Sequence, residues 1–133
     1  MAGSIHCVVV TPETTVLDEN AEFVVVPMID GEAGIGSDHA PLIGRLGCGE
    51  VRIKDGGKGR SYFVDGGFVQ VDHNEVSVIT EQAIAATEIN VADVESELKE
   101  AESSNPDTAA EKAARQRAIT LAKAKLKVAS KRG

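Results

Sequence analysis

The chain has 133 residues, of which 42% are hydrophobic and 26% charged, a balance that suits one globular core with a modest appendage and excludes a disordered tail. Aromatic residues make up 3% of it, tryptophan is absent and the formal net charge is -7, so base stacking is scarcely available and phosphate backbones are repelled; nucleic acid is excluded as a partner. No apolar run approaches the roughly 20 residues that a helix needs to cross a bilayer, which excludes direct membrane insertion by helices.

Residues 4–89 read as short β-rich runs separated by turn chemistry. Ile5-His6-Cys7-Val8-Val9-Val10, Phe23-Val24-Val25-Val26 and Val51-Arg52-Ile53-Lys54 come first, then Ser61-Tyr62-Phe63-Val64, Phe68-Val69-Gln70-Val71 and Val76-Ser77-Val78-Ile79. All are rich in β-branched or aromatic residues and too short for independent helices. Between them stand Thr11-Pro12-Glu13, Asp30-Gly31, Asp55-Gly56-Gly57, Asp65-Gly66-Gly67 and Asp72-His73-Asn74, residues that tolerate positive φ or close their own turns. The spacing predicts an antiparallel β-sandwich or flattened barrel. Cys7 and Cys48 form no CxxC pair and follow no signal peptide, so both are expected to be reduced, buried thiols.

After Ile89 the composition turns to Ala, Glu and Lys. Val91, Val94, Leu98 and Ala101 share one helical face, with Asn90 placed as the cap. Asn105-Pro106-Asp107 breaks the pattern, and Thr108-Ala109-Ala110-Glu111 has the form of a capping box opening a second helix. Ile119, Ala122, Leu126 and Ala129 continue the apolar seam, and the short connection predicts an antiparallel helical hairpin. The expected organisation is α+β, a sandwich over residues 1–88 and a two-helix hairpin over 89–133. Because the seam is mostly alanine and buries little area, the hairpin is expected to depend on contact with the sandwich or a partner, and to be able to detach.

Charge is divided unequally. Residues 1–106 hold 6 basic and 19 acidic side chains, a net of -13, while residues 107–133 hold 8 and 2, a net of +6. Lys112, Arg115, Arg117, Lys123, Lys125, Lys127, Lys131 and Arg132 therefore form a cationic arm too long to be explained by the helix dipole, which acts over one turn. Two readings stay open for it, a solvated helix face or a surface for an acidic protein partner.

Catalytic chemistry is missing. No nucleophile-elbow sequence is present, and His6, His39 and His73 stand singly, without the spacing of metal ligands; an enzyme built on them would require the three to converge in space. Gly31, Gly34 and Gly36 lack the Gly-Lys-Ser/Thr of a phosphate loop. The segment from Gly31 to Leu42, Gly-Glu-Ala-Gly-Ile-Gly-Ser-Asp-His-Ala-Pro-Leu, reads as a connector between two strands, either a partner-binding loop or a plain turn in which His39 bonds its neighbours.

With these segments in order, the chain resembles the epsilon subunits of rotary ATP synthases over nearly its whole length. The resemblance is carried by Val10-Thr11-Pro12-Glu13, by Gly31-Glu32-Ala33-Gly34-Ile35 with His39-Ala40-Pro41-Leu42, by Gly49-Glu50-Val51-Arg52-Ile53, by Gly66-Gly67-Phe68-Val69-Gln70-Val71 and by Leu126-Lys127-Val128-Ala129. It implies a flattened ten-stranded sandwich and a non-catalytic role in the central stalk of a proton-translocating ATP synthase, peripheral to the cytoplasmic face of the energy-transducing membrane. It implies that Gly31, Glu32, Gly34 and Ile35 meet the c ring and that His39, Pro41 and Leu42 lie near the gamma subunit. Extended, the hairpin would present Arg115, Arg117, Lys123, Lys125 and Lys127 to the catalytic alpha/beta subunits and inhibit hydrolysis. Some members bind ATP on the folded hairpin through an Ile/Leu-Asp-x-x-Arg-Ala motif; here Asn90 and Asp93 replace its Asp and Arg, and Leu121 and Lys125 fall where arginines are expected. No cofactor is therefore expected, and ATP binding is expected to be weak or absent. A free-standing nucleotide-sensing or small-ligand module is the alternative from a different class.

Overall fold

The computed structural model describes residues 4–130. Within them the chain forms β1 (Ile5–Val10), β2 (Thr15–Ala21), β3 (Phe23–Met28), β4 (Gly31–Ile35), β5 (Leu42–Arg45), β6 (Cys48–Asp55), β7 (Lys58–Asp65), β8 (Phe68–Asp72), β9 (Glu75–Ile79), β10 (Ala83–Ala85), a 3-10 turn at Ala86–Glu88, α1 (Val91–Ser103) and α2 (Ala109–Ser130). Lys131 and Arg132 of the expected cationic arm lie outside the described residues.

The strands make two five-stranded sheets, the first ordered β2-β1-β9-β8-β5 and the second β10-β7-β6-β3-β4. The sandwich is antiparallel as expected apart from one pair, β1 with β9, which runs parallel. Alternation along each strand sends one set of side chains inward. Ile5, Cys7 and Val9 of β1, Val51 and Ile53 of β6 and Val76 and Val78 of β9 all meet in one core, each at most 2% exposed. At about 1.5–3 kcal/mol for each fully buried Val or Ile side chain, this core dominates the stability of the sandwich. Turn chemistry sets the register: His73 and Asn74 have φ of 50° and 62°, and Gly56 and Gly57 have 59° and 83°, the left-handed pairs that close two-residue hairpins with the right twist.

Segment Gly31 to Leu42 is not one connector. Gly31–Ile35 is strand β4, paired antiparallel with β3. Its Gly34 makes room for an aromatic ring: a Cβ there would stand 2.7 Å from Cζ of Phe23. A loop-like composition thus reflects a packing need of the neighbouring strand.

Outer positions of the second sheet carry a second core. Phe63 alternates with the inward-facing Tyr62 and Val64, so its ring points out of the sandwich and is fully buried among Ala86, Ile89, Val94, Ala122, Val128 and Ala129. Both helices begin as the sequence predicts. The Asn90 side chain accepts a hydrogen bond from the Asp93 backbone N–H, and Thr108 Oγ1 accepts from Glu111 N–H while donating to Glu111 Oε1. With 22 residues against 13, α2 outruns α1, and its C-terminal turns lie across β6 and β7.

Candidate docking surfaces

The two sheets present different outer faces. On the second sheet, α2 lays its cations over specific partners. Arg117 pairs with Asp65 at 3.3 Å, and Lys125 Nζ sits 5.6 Å from the centroid of the Phe63 ring, within cation–π range. Arg115 donates to the Glu102 carbonyl at 2.9 Å, closing the last turn of α1. Lys127 lines a cavity of about 200 Å³ with Glu32, Cys48 and Glu50, and Lys123 is exposed. In this conformation the acidic surface facing the arm is the sandwich itself.

Below that cavity, Arg52 donates to both carboxylate oxygens of Glu32 at 3.0 and 3.3 Å and to Glu50 at 3.3 Å. Hydrogen bonding to Glu32 raises the guanidinium pKa still further above its ordinary value. Burial pushes both thiols up to about 11, Cys7 inside the core and Cys48 beside α2. Both cysteines are free and protonated at neutral pH.

The residues expected to meet the c ring separate in structure. Gly31, at φ 130°, opens β4 directly after the Ile29-Asp30 turn, where Ile29 is 65% exposed, and Glu32 follows it on the outer face. Gly34 lies under Phe23, and Ile35 is wholly buried in the core, so its side chain offers no surface to a partner. Gly31 lies opposite Met28 at one end of β3, and the loop that follows Ile35 reaches the β8–β9 turn, so Gly31 and His39 fall at opposite ends. At the first end Gly47 N–H donates to the Pro27 carbonyl. At the other, Asp38 N–H donates to Asn74 Oδ1. His39 Nδ1 donates to the Ala40 carbonyl at 2.7 Å, Pro41 is exposed, and Leu42 packs partly against the core.

Among the described residues, no helix lies on the outer face of the first sheet. Ile43, Phe68 and Ile79 stand 75%, 53% and 52% exposed on β5, β8 and β9, with Phe68 directly opposite Ile79 and Ile43 opposite Gln70. Beside them a shallow cavity of about 370 Å³ is lined by Pro41, Leu42, Ile43, Gln70, Val71 and Asp72. The sequence reading did not single out Ile43, Phe68 or Ile79. The signal was present in the alternation Phe68-Val69-Gln70-Val71, where burying both valines turns Phe68 out beside Gln70.

The histidines do not converge. His6 pairs with Asp18 and lies 3.9 Å from Glu75, His39 bonds the Ala40 carbonyl, and His73 pairs with Asp72 at 2.9 Å. Among the described residues no three ligand-type side chains gather as they would around a metal, and no helix is long and apolar enough to cross a membrane.

The fold is thus a two-sheet sandwich with its own hairpin packed on one outer face and with Ile43, Phe68 and Ile79 exposed beside Arg45 and Gln70 on the other. The family described as "ATP synthase, Delta/Epsilon chain, beta-sandwich domain" matches residues 4–86. An ATP synthase epsilon chain from Rhodopirellula baltica is 54% identical over 81 residues, covering 61% of this chain and 63% of that one. The sodium-ion-specific epsilon chain of Propionigenium modestum is 40% identical over 94 residues, 71% of this chain and 66% of that one. That of Rubrobacter xylanophilus is 39% identical over 105 residues, 77% and 72%. This chain belongs to the ATP synthase delta/epsilon family. Its matches span just under two thirds of the first two relatives' lengths.

The fold likeness continues through the hairpin. A chain of the Euglena gracilis mitochondrial ATP synthase superposes with a TM-score of 0.81 at 24% identity, covering 90% of this chain and 78% of that one. One from the central stalk and c-ring structure of the Tetrahymena thermophila enzyme gives 0.69 at 14% identity, covering 96% and 98%.

Proposed function

We propose that this chain is a non-catalytic central-stalk subunit of an ATP synthase, joining the gamma subunit to the c ring and restraining ATP hydrolysis through its C-terminal helices. The observation that supports the reading is the contrast between the two outer faces: a cationic hairpin packs on one, and Ile43, Phe68 and Ile79 stand exposed on the other. Gamma docks on the first sheet through Ile43, Phe68 and Ile79, with Pro41 and Leu42 extending the patch and His39 at its rim. The c ring meets the opposite end, where Ile29, Gly31 and Glu32 project. Association with the cytoplasmic face of the membrane follows from these protein contacts. Extended, α2 would carry Arg115, Arg117, Lys123, Lys125 and Lys127 to acidic surfaces of the catalytic subunits.

Two measurements test this. Co-purification of the tagged chain from native membranes is expected to recover gamma with the catalytic subunits; recovery of nothing would remove the reading. Deleting residues 90–133 is expected to raise ATP hydrolysis by the assembled enzyme, and an unchanged rate would reduce the hairpin to a structural cover for Phe63.

A second reading, a nucleotide-binding module, draws on a cavity of about 620 Å³ lined by Arg52, Lys54, Arg60, Thr87 and Glu88. Its two guanidinium groups are already engaged, Arg52 by Glu32 and Glu50 and Arg60 by Glu19, which leaves little positive charge for a triphosphate. Calorimetric titration with ATP is expected to show no micromolar binding, and such an affinity would favour this alternative.

A further inference from the structure

We propose that the outer face of the second sheet is an internal acceptor for the cationic arm, and that the Asp65–Arg117 pair is the latch whose opening releases α2. The proposal rests on the reading of the hairpin as a detachable inhibitory element and names the residues that hold it closed.

Asp65 ends β7 at a fixed point. Its backbone N–H donates to the Gln82 carbonyl and to Thr80 Oγ1, each at 3.1 Å, which fixes the backbone that carries the carboxylate. The Asp65 side chain is 16% exposed and that of Arg117 68%, which places the pair at the margin of the docked helix, partly screened from water. Arg117, Leu121 and Lys125 follow one another at four-residue intervals and share a helix face. Along that stripe Arg117 meets Asp65, Leu121 packs into the second core, and Lys125 lies over Phe63.

Much of the hairpin's hold on the sandwich is the apolar core around Phe63, with Val94, Ala122, Val128 and Ala129 buried and Leu98, Leu121 and Leu126 partly so; the Asp65–Arg117 pair adds a contact at its margin that can be removed without opening that core. Residues 1–106 carry a net of -13 and residues 107–133 a net of +6, which adds an attraction that salt weakens. A guanidinium bound to Asp65 is unavailable to another carboxylate. Docking on the sandwich and binding to an external acidic surface therefore compete for the same charges, and the strength of the latch sets the population of free arm.

Cys48 supplies a native reporter. It lies across the small cavity from Ala124, Lys127 and Val128, and burial holds its thiol at about 11. Arg117 is among the cations that lower that pKa. Removing Arg117 with the helix still docked would therefore slow thiol labelling, so faster labelling reads uncovering by α2. In the full-length chain, Arg117→Met is expected to raise the rate of Cys48 modification by a disulfide reagent roughly threefold, the size of effect a partly exposed ion pair gives, with Cys7 remaining protected in the core. Asp65→Asn is expected to act in the same direction, and the charge-exchanged pair Asp65→Arg with Arg117→Asp to restore slow labelling.

Unchanged or slower labelling in Arg117→Met overturns the latch, as does acceleration in Asp65→Asn alone, which would reflect only the carboxylate's effect on the neighbouring thiol. In the assembled enzyme, Asp65→Asn is expected to deepen inhibition of hydrolysis. Faster labelling without deeper inhibition would keep the latch and reject the inhibitory role of the arm, so the two failures are separable.

Discussion

Replacing Gly67 by alanine is expected to lower the unfolding free energy by about 2–6 kcal/mol, a large part of the 5–15 kcal/mol that a domain of this kind possesses. Two costs combine. At φ 102° the residue occupies a conformation that L side chains rarely adopt, which costs about 1–3 kcal/mol. The added Cβ would also stand 1.9 Å from the Ile79 carbonyl oxygen and 2.9 Å from the Ile79 carbonyl carbon and Thr80 Cα. These are backbone atoms of the facing segment and cannot rotate aside, so the strand end itself must move, with a further cost of about 1–3 kcal/mol.

The same turn is tied from its other side. Leu46 N–H donates to the Gly67 carbonyl at 2.8 Å, and Gly66 N–H donates to the Gly47 carbonyl at 3.2 Å. A shift at Gly67 therefore disturbs the link between β5 and β6 as well as that between β8 and β9. Urea unfolding should show the loss as a lower midpoint. Gly57→Ala is the control, since that residue has φ 83° but nothing within 4 Å of the added atom. It is expected to cost about 1–2 kcal/mol from backbone strain alone. Equal losses at the two positions would show that the close approach to Ile79 carries no energetic weight.

Strands built from β-branched runs were legible in the sequence because burial on one face demands such runs. β1, β3, β6, β7, β8 and β9 each contain an expected segment, with ends extended by the turns. β2 was not legible, since Thr15-Val16-Leu17-Asp18-Glu19-Asn20-Ala21 lies at a sheet edge and buries only Leu17 and Ala21. β4 was read as loop because its Gly34 serves the Phe23 ring on another strand, a need that local composition cannot express. β10 has three residues, too few for any period.

Both helices and their caps were legible because capping is local chemistry. The docking surfaces were legible only in part. Asp65 and Arg117 are 52 residues apart, and Glu32 and Arg52 are 20 apart, so neither pair leaves a local trace. The charge division between the two parts of the chain was visible, but nothing local states that the acidic surface under the arm is the chain's own sandwich. Glu32 illustrates the same limit. It looks like a free loop carboxylate in the sequence, and in the fold it is clasped by a guanidinium from β6.

On the open face, the double substitution Ile43→Glu with Phe68→Glu is expected to weaken gamma binding by about 3 kcal/mol, roughly a hundredfold in Kd, because apolar anchors at the centre of an interface carry most of its energy. Both side chains are more than half exposed in the free chain, so neither change removes packing from the core. Thermal unfolding and the rate of Cys7 labelling should stay as in the unmodified chain, which separates lost docking from lost folding. Lys54→Glu, on the outer face of the second sheet, is the matched control and is expected to leave gamma binding intact. Retention of full gamma binding by the double variant would move the interface away from the first sheet. Loss of binding in Lys54→Glu as well would place gamma on the hairpin side, where it would have to share the surface with α2. The expected pattern instead would leave α2 room to dock or extend while gamma stays bound, as the proposed reading of the hairpin as a movable inhibitory arm requires.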